Sequence, residues 1–189
     1  MKIGLYFGSF NPVHIGHLII ASHIANSTLL EQVWFVVSPQ NPLKDSNDLL
    51  NENIRKHLID LSIKGEKKLS TSDVESHLSR PSYTINTLKY LSKSHPEDEF
   101  SIIMGSDSFQ NIKLWKNYKL LLKEYQIYVY ERPGFKIATE LKANIILIND
   151  ALLEISSTRI RELIHSGKSI RYLVPDIVKK EIERKKYYK

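Results

Sequence analysis

The sequence predicts an α/β fold, built on a doubly wound, Rossmann-like and mostly parallel sheet with C-terminal helices. Apolar runs rich in β-formers alternate with segments of helical spacing. Those runs are nearly continuous in apolar residues, as in strands buried on both faces of a parallel sheet. The chain has 189 residues, which suits one domain with a sizeable core. We expect a single domain over residues 1–189, with a helical part at about 156–189.

Five short runs carry the strand pattern. They are KIGLYF (2–7), VWFVVS (33–38), FSIIMG (100–105), QIYVYE (126–131) and NIILIN (144–149). LSTSDVE (69–75) is a weaker candidate. Ligands of such sheets bind outside the carboxyl ends of the strands. The polar segments 8–17, 39–44, 105–107 and 132–134 are therefore where a site is expected.

Helical spacing appears between the strands. The predicted helices are HLIIASHIANS (17–27), NENIRKHLIDLSIK (51–64), SYTINTLKYLSKSH (82–95) and SSTRIRELIHSGK (156–168). Asn51 or Asn53 could cap the second helix, whereas serines open the last one and Gly167 closes it. The segment PDIVKKEIERKKYYK (175–189) is typical of an exposed helix with a basic end, which suits the helix dipole.

The net charge of +6 raises the hypothesis of a nucleic-acid partner, but its distribution argues against one. Residues 171–189 hold seven Lys/Arg and three Asp/Glu, so the first 170 residues have a net charge of only +2. A solvated basic helix end explains the excess better than a nucleic-acid surface. We therefore expect no nucleic-acid partner.

The sequence contains no cysteine, which excludes disulfides, thiolate metal ligands and a Cys nucleophile. No apolar run approaches membrane length, and the N-terminus lacks the pattern of a signal peptide. We expect a soluble, cytoplasmic protein with no membrane partner. The sequence does not indicate its oligomeric state.

The segment GSFNPVHIGH (8–17) follows the first predicted strand and combines residues of very different backbone behaviour. Gly8 lets the backbone leave the sheet and leaves room for a ligand against the main chain. Asn11-Pro12 should hold the next turn extended and stiff. A helix is expected to begin around residues 13–16.

His14 and His17 are three residues apart, so they should share one face of the first helical turn, with room for a ligand beside Gly16. A helix N-terminus supplies N–H donors and partial positive charge. The segment therefore indicates a site for a nucleotide phosphate, with two imidazoles beside it. The alternative is a plain strand–turn–helix with two surface histidines. The joint spacing G-x-F-x-P-x-H-x-G-H is too specific to favour that alternative.

With these residues, the chain resembles the nucleotidyltransferases that carry an HxGH signature. ISSTRIR (155–161) is similar to the second signature of that superfamily. Further segments resemble the bacterial nicotinate-nucleotide adenylyltransferase branch: RPSYTINTL (80–88), MGSDSF (104–109), LW (114–115) and ERPG (131–134). Two positions depart from the pattern: Phe7 stands where a glycine is frequent, and Asn11 stands where Asp is common. Phe7 could change how closely the loop wraps a ligand.

The resemblance implies transfer of the adenylyl group of ATP to nicotinate mononucleotide, which gives nicotinate adenine dinucleotide and pyrophosphate. It implies His14 and His17 as catalytic residues that hold the triphosphate, with His17 nearest the transferring phosphorus. The implied ATP-binding residues are Gly8, Ser9, Phe10, Gly105, Asp107, Ile155, Ser156, Ser157, Thr158 and Arg161. Two of these assignments have structural alternatives: residues 156–158 could be an ordinary helix cap, and so could Asp107.

For nicotinate mononucleotide the implied residues are Lys44, Ser82, Tyr83, Thr84, Trp115 and Arg132. Trp115 could stack on the cationic pyridine ring, and residues 82–84 could bind the carboxylate. Each again has an alternative: core packing for Trp115, a plain helix start for residues 82–84, and a solvated loop residue for Lys44. Residues 39–50 have the composition of a mobile flap.

The sequence predicts no permanent metal site, because no HExxH motif, Cys pair or close carboxylate cluster completes the HxxH pair. Mg²⁺ is expected to arrive with ATP. Two other functions remain open from the residues alone. One is another adenylyltransferase of the superfamily, such as phosphopantetheine adenylyltransferase, and the other is a non-catalytic nucleotide-binding module. The residues do not decide between nicotinate and nicotinamide mononucleotide.

Overall fold

The computed structural model describes residues 1–39, 48–135, 144–148 and 155–189. In this part of the chain, six strands form one sheet in which all neighbouring strands are parallel. They are β1 (Lys2–Gly8), β2 (Gln32–Val37), β3 (Leu69–Ser72), β4 (Glu99–Gly105), β5 (Ile127–Tyr130) and β6 (Ile145–Ile148). Their order is β3-β2-β1-β4-β5-β6, so the predicted doubly wound α/β class is confirmed.

The order of the strands reverses between β1 and β4, which are neighbours at the centre of the sheet. The chain moves outward from β1 to β3, returns to β4 on the other side of β1, and moves outward again to β6. Loops that leave β1 and β4 therefore diverge and leave a crevice at the carboxyl edge. A ligand site is expected there, next to Gly8 and Gly105.

Helices cover both faces of this sheet. The described residues form α1 (Ile15–Ser27), α2 (Glu52–Ser62), α3 (Thr84–Ser94), α4 (Ser106–Gln110), α5 (Tyr118–Glu124), α6 (Ser157–His165) and α7 (Asp176–Lys185). Buried apolar residues of α1, α2, α6 and α7 belong to one core cluster, and those of α3, α4 and α5 belong to a second. The sheet is thus packed between two helical layers.

The strand side chains alternate between these two cores. Tyr6 and Phe35 belong to the first cluster, whereas Leu5 and Val36, their neighbours along the strands, belong to the second. This is the two-residue period of a strand with both faces buried. It explains why continuous apolar runs, rather than alternating ones, predicted the strands correctly.

The five strong strand predictions and the four helix predictions between them are confirmed, with ends that shift by up to three residues. Asn51 is the residue that caps α2, since its side chain accepts a hydrogen bond from the N–H of Asn53. The weak strand prediction over 69–75 was wrong in its second half: β3 ends at Ser72 and a 3-10 turn, Val74–His77, follows. The helices α4 and α5 were missed because they are too short to display a periodic pattern.

The turn at Val74–His77 has a physical reason in Glu75, which is only 2% exposed. Its carboxylate accepts hydrogen bonds from the hydroxyls of Ser82 and Thr87, each at 2.9 Å. Burial raises the pKa of Glu75, whereas the hydroxyls around it lower the pKa. A buried carboxylate must be hydrogen-bonded, and the turn brings Glu75 to the start of α3.

The C-terminal segment differs from the solvated helix end that its charge suggested. α7 ends with Arg184 and Lys185 in its last turn, as the helix dipole favours. Val178 and Ile182 are nonetheless fully buried, and Tyr188 beyond the helix is buried as well. The segment therefore packs on the core layer that also contains α1, α2 and α6. In the described ranges, no helix is both long and apolar enough to span a membrane.

Candidate active site

A cavity of about 470 Å³ lies at the carboxyl ends of the central strands. Eleven of the residues that the sequence analysis selected line it. From the loop after β1 and the start of α1 they are Gly8, Ser9, Phe10, His14 and His17. From the other segments they are Asp107, Arg132, Ser156, Ser157, Thr158 and Arg161. Four segments that are distant in sequence thus meet at the strand-order reversal.

Close packing of aromatic rings determines the path of the loop after β1. The ring of Phe10 is buried against Tyr6 and Phe35, with ring centroids 5.4 and 5.2 Å away. A Cβ atom on Gly8 would come within 2.8 Å of this ring, so only glycine fits there. Phe10 itself has a φ of 46°, a left-handed conformation that is unusual for a side-chain-bearing residue. The burial of its ring stabilises that conformation.

The two histidines cap α1 reciprocally. Helix α1 begins at Ile15, so His14 is its N-cap and precedes the first turn rather than lying on it. Nδ1 of His14 accepts the backbone N–H of His17, and Nδ1 of His17 accepts the N–H of His14, both at 3.3 Å. The rings stack with centroids 3.6 Å apart. This is the capping-box arrangement, made here by two imidazoles.

This arrangement fixes the tautomer of both rings when they are neutral. Because each Nδ1 accepts a hydrogen bond, the proton of each neutral imidazole is on Nε2, which is then a donor. Burial, with the positive charge of Arg132 adding to it, lowers the pKa of His14 from 6.5 to about 3. His14 is therefore a neutral hydrogen-bond donor at neutral pH.

Gly16 has a different role from the one expected. A Cβ atom at this position would lie 3.1 Å from Nδ1 of His14 and 3.7 Å from Cβ of Ile155. The space beside Gly16 is thus occupied by the protein itself. The missing side chain allows the His14 ring and the segment before α6 to approach α1.

The start of α6 is joined directly to the loop after β1. Ser156 is the N-cap, and its hydroxyl accepts the N–H of Arg159 at 3.2 Å. The Ser157 hydroxyl donates to the carbonyl of Pro12 at 2.8 Å, and the Arg161 guanidinium donates to the carbonyl of Asn11 at 2.9 Å. The alternative interpretation of residues 156–158 as a helix cap is therefore confirmed for Ser156. Residues 156–158 also bring a second helix N-terminus to the cavity.

An ion pair lies at the opposite side of the cavity. The guanidinium of Arg132 is 3.4 Å from the carboxylate of Asp107, and both side chains are about one-third exposed. Burial opposes the charge of Arg132, but Tyr130 and Asp107 outweigh it and raise the pKa of Arg132. Asp107 is in the first turn of α4, whose N-cap is Gly105. The cap interpretation of Asp107 was therefore wrong, and its carboxylate faces a cation.

A buried arginine that the sequence analysis did not select holds the loops of this site together. Arg55 on α2 is 0% exposed. It donates to four backbone carbonyls, which belong to Ser9, Ser38, Pro39 and Leu50, at distances of 2.5–3.1 Å. One side chain thereby fixes the loop after β1, the end of β2 and the entry to α2. A guanidinium has five donors in a rigid fork, which suits this task.

Six of the selected residues that the structure describes do not line the cavity. Two of them contact the surroundings of the cavity: a Cβ on Gly105 would come within 3.1 Å of the Tyr130 ring, and Ile155 packs on the core. Lys44 lies outside the described residues, as does most of the suggested flap at 39–50. The other four are Ser82, Tyr83, Thr84 and Trp115.

Those four form a separate group at the same edge of the sheet. Tyr83 is the N-cap of α3, and Thr84 is its first helical residue. The ammonium of Lys116, next to Trp115, lies 4.4 Å from the centre of the Tyr83 ring. Tyr83 and Trp115 are half-buried against the second core. The Ser82 hydroxyl is bonded to Glu75, so this side chain supports the helix start.

Among the described residues that line the cavity, seven had not been selected: Tyr6, Phe7, Asn11, Asp48, Leu49, Ser108 and Tyr130. The hydroxyls of Tyr6 and Tyr130 are bonded to each other at 3.2 Å, although they are 124 residues apart. Both tyrosines lie inside apolar strand runs, where the sequence pattern signals only core. A signal did exist for Asn11, since it departs from the family pattern inside the first motif.

The donor set indicates which ligands fit. Imidazole N–H groups, hydroxyls, helix N-termini and guanidinium groups predominate, and these groups bind phosphate. Among the residues that the structure describes, no group of three or more His, Cys, Asp or Glu could hold a metal ion.

Comparison with known proteins agrees with this geometry. The sequence profile of the cytidylyltransferase-like family matches residues 5–163. A probable nicotinate-nucleotide adenylyltransferase of Flavobacterium psychrophilum is 47% identical over the full length of both chains. One of Cytophaga hutchinsonii is 46% identical over all of this chain and 98% of its own.

A solved structure has the same fold over nearly the whole chain. Plasmodium falciparum nicotinic acid mononucleotide adenylyltransferase complexed with NaAD matches with a TM-score of 0.86 and 25% identity, over 99% of this chain and 97% of its own. The fold, the spacing of the motifs and the full-length similarity lead to one conclusion. This chain belongs to the nicotinate-nucleotide adenylyltransferase family of cytidylyltransferase-like nucleotidyltransferases.

Proposed function

We propose that the protein transfers the adenylyl group of ATP to nicotinate mononucleotide, and releases pyrophosphate and nicotinate adenine dinucleotide. One observation carries the proposal: the starts of α1 and α6 share one cavity at the strand-order reversal, joined by the Ser157–Pro12 and Arg161–Asn11 hydrogen bonds. Two helix N-termini on one cavity form a site for a polyanion. A triphosphate is the polyanion that the full-length relatedness suggests.

The ATP phosphates are bound by the loop after β1 and by the first turn of α6. The backbone of Ser9 and Phe10 approaches the ligand closely because Gly8 has no side chain. Ser157 and Thr158 offer their backbone N–H groups, which a helix leaves without an intrahelical partner. Arg161 adds a positive charge. Asp107 binds a ribose hydroxyl, as acidic residues do in related dinucleotide folds.

His14 and His17 stabilise the transferring phosphate. Their Nε2–H groups donate to its oxygens, and charge that develops there meets donors that are already in position. The mutual capping of the two rings prevents them from turning away. Burial keeps His14 neutral, so it contributes a hydrogen bond and not a proton.

The chemical step needs no general base. A phosphate oxygen of nicotinate mononucleotide, already anionic, attacks the α-phosphorus of ATP in line. The new P–O bond forms as the bond to the β-phosphate oxygen breaks, and pyrophosphate leaves with that electron pair. Positioning and charge stabilisation then supply the catalysis, which matches a cavity rich in donors.

Nicotinate mononucleotide is bound at the neighbouring group of residues. The half-buried ring of Trp115 stacks on the pyridine ring, and the N-terminus of α3, at Tyr83 and Thr84, receives its carboxylate. Glu75 holds that helix start in place through Ser82. Arg132 and Lys44 bind the phosphate of the mononucleotide.

Nucleotidyltransferases act on ATP together with a divalent metal, and we propose Mg²⁺ for this one. When bound, Mg²⁺ supplies positive charge to the triphosphate and the leaving pyrophosphate. Because the described residues contain no metal-binding cluster, ATP carries the ion into the cavity. The whole chain acts as one nucleotidyltransferase domain, with 156–189 as its helical part. We place its activity in the cytoplasm, where ATP is available.

A pyrophosphate-release assay with purified protein tests this function. ATP and Mg²⁺ are supplied with nicotinate mononucleotide, nicotinamide mononucleotide or 4′-phosphopantetheine in separate reactions. The expected result is rapid release with nicotinate mononucleotide and slower release with the other two. Preference for phosphopantetheine would contradict the proposed substrate, and absence of release with all three would contradict an adenylyltransferase.

A further inference from the structure

The chain turns back toward the cavity after α7. Tyr188 is 8% exposed and belongs to the core layer that also contains α1 and α6. Its hydroxyl donates to Oδ1 of Asn11 at 2.8 Å, a buried hydrogen bond between residues 177 positions apart. Asn11 lies in the loop after β1 and lines the cavity. The C-terminal segment therefore touches the ATP-binding loop directly.

Asn11 is the point at which residues 48–50 and α6, as well as the C-terminal segment, meet this loop. Its side-chain amide donates to the carbonyl of Asp48 at 2.8 Å, and its Oδ1 also accepts the N–H of Leu50 at 3.2 Å. Its backbone carbonyl accepts the guanidinium of Arg161 at 2.9 Å. Oδ1 thus has two donors, one of which is Tyr188. Asn11 follows Phe10, whose backbone is expected to contact the phosphates.

The backbone of the tail is held in an unfavourable conformation. Lys186 and Tyr188 have φ values of 55° and 61°, in the left-handed region that favours glycine. Such conformations persist only where the surrounding structure over-determines them. Tyr187 also donates its N–H to the carbonyl of Ile182 at 3.1 Å, which turns the chain back at the end of α7. The contacts of Tyr188 compensate for this strain.

We propose that Tyr188 is a positioning residue for the ATP-binding loop, and that it acts through Asn11. Its hydroxyl fixes the Asn11 side chain, which keeps residues 8–12 in the conformation that binds the triphosphate. Removal of the hydroxyl loosens this loop without changing the residues at the start of α3 that bind nicotinate mononucleotide. That the ligand is ATP rests on the proposed function, whereas the hydrogen bond between Tyr188 and Asn11 does not depend on it.

Tyr188→Phe isolates the hydroxyl because it keeps the buried ring. The affinity for a non-hydrolysable ATP analogue, measured by calorimetry, is expected to fall about 3- to 10-fold, the range for loss of one buried hydrogen bond. The KM for ATP should rise by the same factor, while the KM for nicotinate mononucleotide stays within twofold. Tyr172→Phe is the matched control, since Tyr172 is 77% exposed and should bind the analogue normally.

A double-mutant cycle separates positioning from packing. If Tyr188 acts through Asn11, then Tyr188→Phe weakens analogue binding in the native background and has no further effect in an Asn11→Ala background. Equal losses in both backgrounds, or unchanged affinity of Tyr188→Phe in the native background, would overturn the proposal. If the unmodified chain binds the analogue but shows no turnover, only the proposed function fails. If it does not bind the analogue, both fail.

Hydrogen exchange on the unmodified chain provides a test that does not depend on a folded variant. Coupling between two sites is reciprocal, so a bound ATP analogue must slow exchange of the N–H groups of Lys186 and Tyr187. A peptide that covers residues 64–68, between α2 and β3, is the internal control, since these residues do not line the cavity, and it should exchange at the same rate with and without the analogue. Unchanged exchange at 186–187, with the site saturated, would overturn the proposal.

Discussion

Acid should destabilise this fold through His14, and replacement of that histidine should remove the effect. In the folded protein, burial and the charge of Arg132 lower the pKa of His14 from 6.5 to about 3. Between these values the unfolded chain binds a proton at this position and the folded chain does not. The free energy of unfolding therefore rises with pH over this window. The contribution that neutral His14 makes to it is lost progressively as pH falls below 6.5.

The expected size follows from the shift. One pKa unit corresponds to about 1.4 kcal/mol, so the full difference is about 5 kcal/mol. That is a large part of the ~5–15 kcal/mol that stabilises a typical domain. Most of it should be lost by pH 4.

His14→Asn is the informative variant because asparagine is also a good N-cap and can still accept the N–H of His17. Urea denaturation at pH 7, 6, 5 and 4 gives the free energy of unfolding of both proteins. The difference between the two curves gives the contribution of His14 alone, because the carboxylates, among them Glu75 with its raised pKa, titrate in both proteins. His77→Asn, at a side chain that is 70% exposed, gives the contribution of a surface imidazole for comparison. Parallel curves for the native chain and His14→Asn would show that His14 is not held neutral by burial.

Three further changes test the site and its support. His17→Ala should lower kcat about 10²- to 10³-fold, the usual effect of losing one donor to a transition-state charge, with an unchanged circular dichroism spectrum; near-normal turnover would contradict its assigned role. Trp115→Ala should raise the KM for nicotinate mononucleotide more than the KM for ATP, whereas Trp34→Ala should change neither selectively; the reverse order for Trp115 would exclude stacking. Arg55→Met leaves four backbone carbonyls without their donor and should destabilise the fold by about 3 kcal/mol, which is a fall in Tm of roughly 8 °C. Lys56→Met, at an i,i+4 ion pair, should change stability by less than about 0.5 kcal/mol, and equal effects of the two would show that Arg55 is not a structural centre.

Local pattern was sufficient for the fold class because the strands are buried on both faces. β1, β2 and β4 are continuous apolar runs between polar breakers, and a parallel sheet flanked by helices is the arrangement that buries them. α4 was not predicted, because five residues are too few to display a helical period. The second half of 69–75 was mistaken for strand because the burial of Glu75, which requires a turn, depends on Ser82 and Thr87 from the next helix.

The sequence by itself identified the first and last segments that line the cavity, because both motifs combine a helix start with residues of a fixed spacing. Only the tertiary structure decided that His14 caps α1 and remains neutral, since its pKa is set by burial and by Arg132, 118 positions away. The same is true of Arg55 and Tyr188. An arginine in a helical pattern and a tyrosine in a basic tail are typical surface residues in sequence. They become buried supports of the site because packing places backbone carbonyls and the Asn11 side chain within hydrogen-bond distance of them.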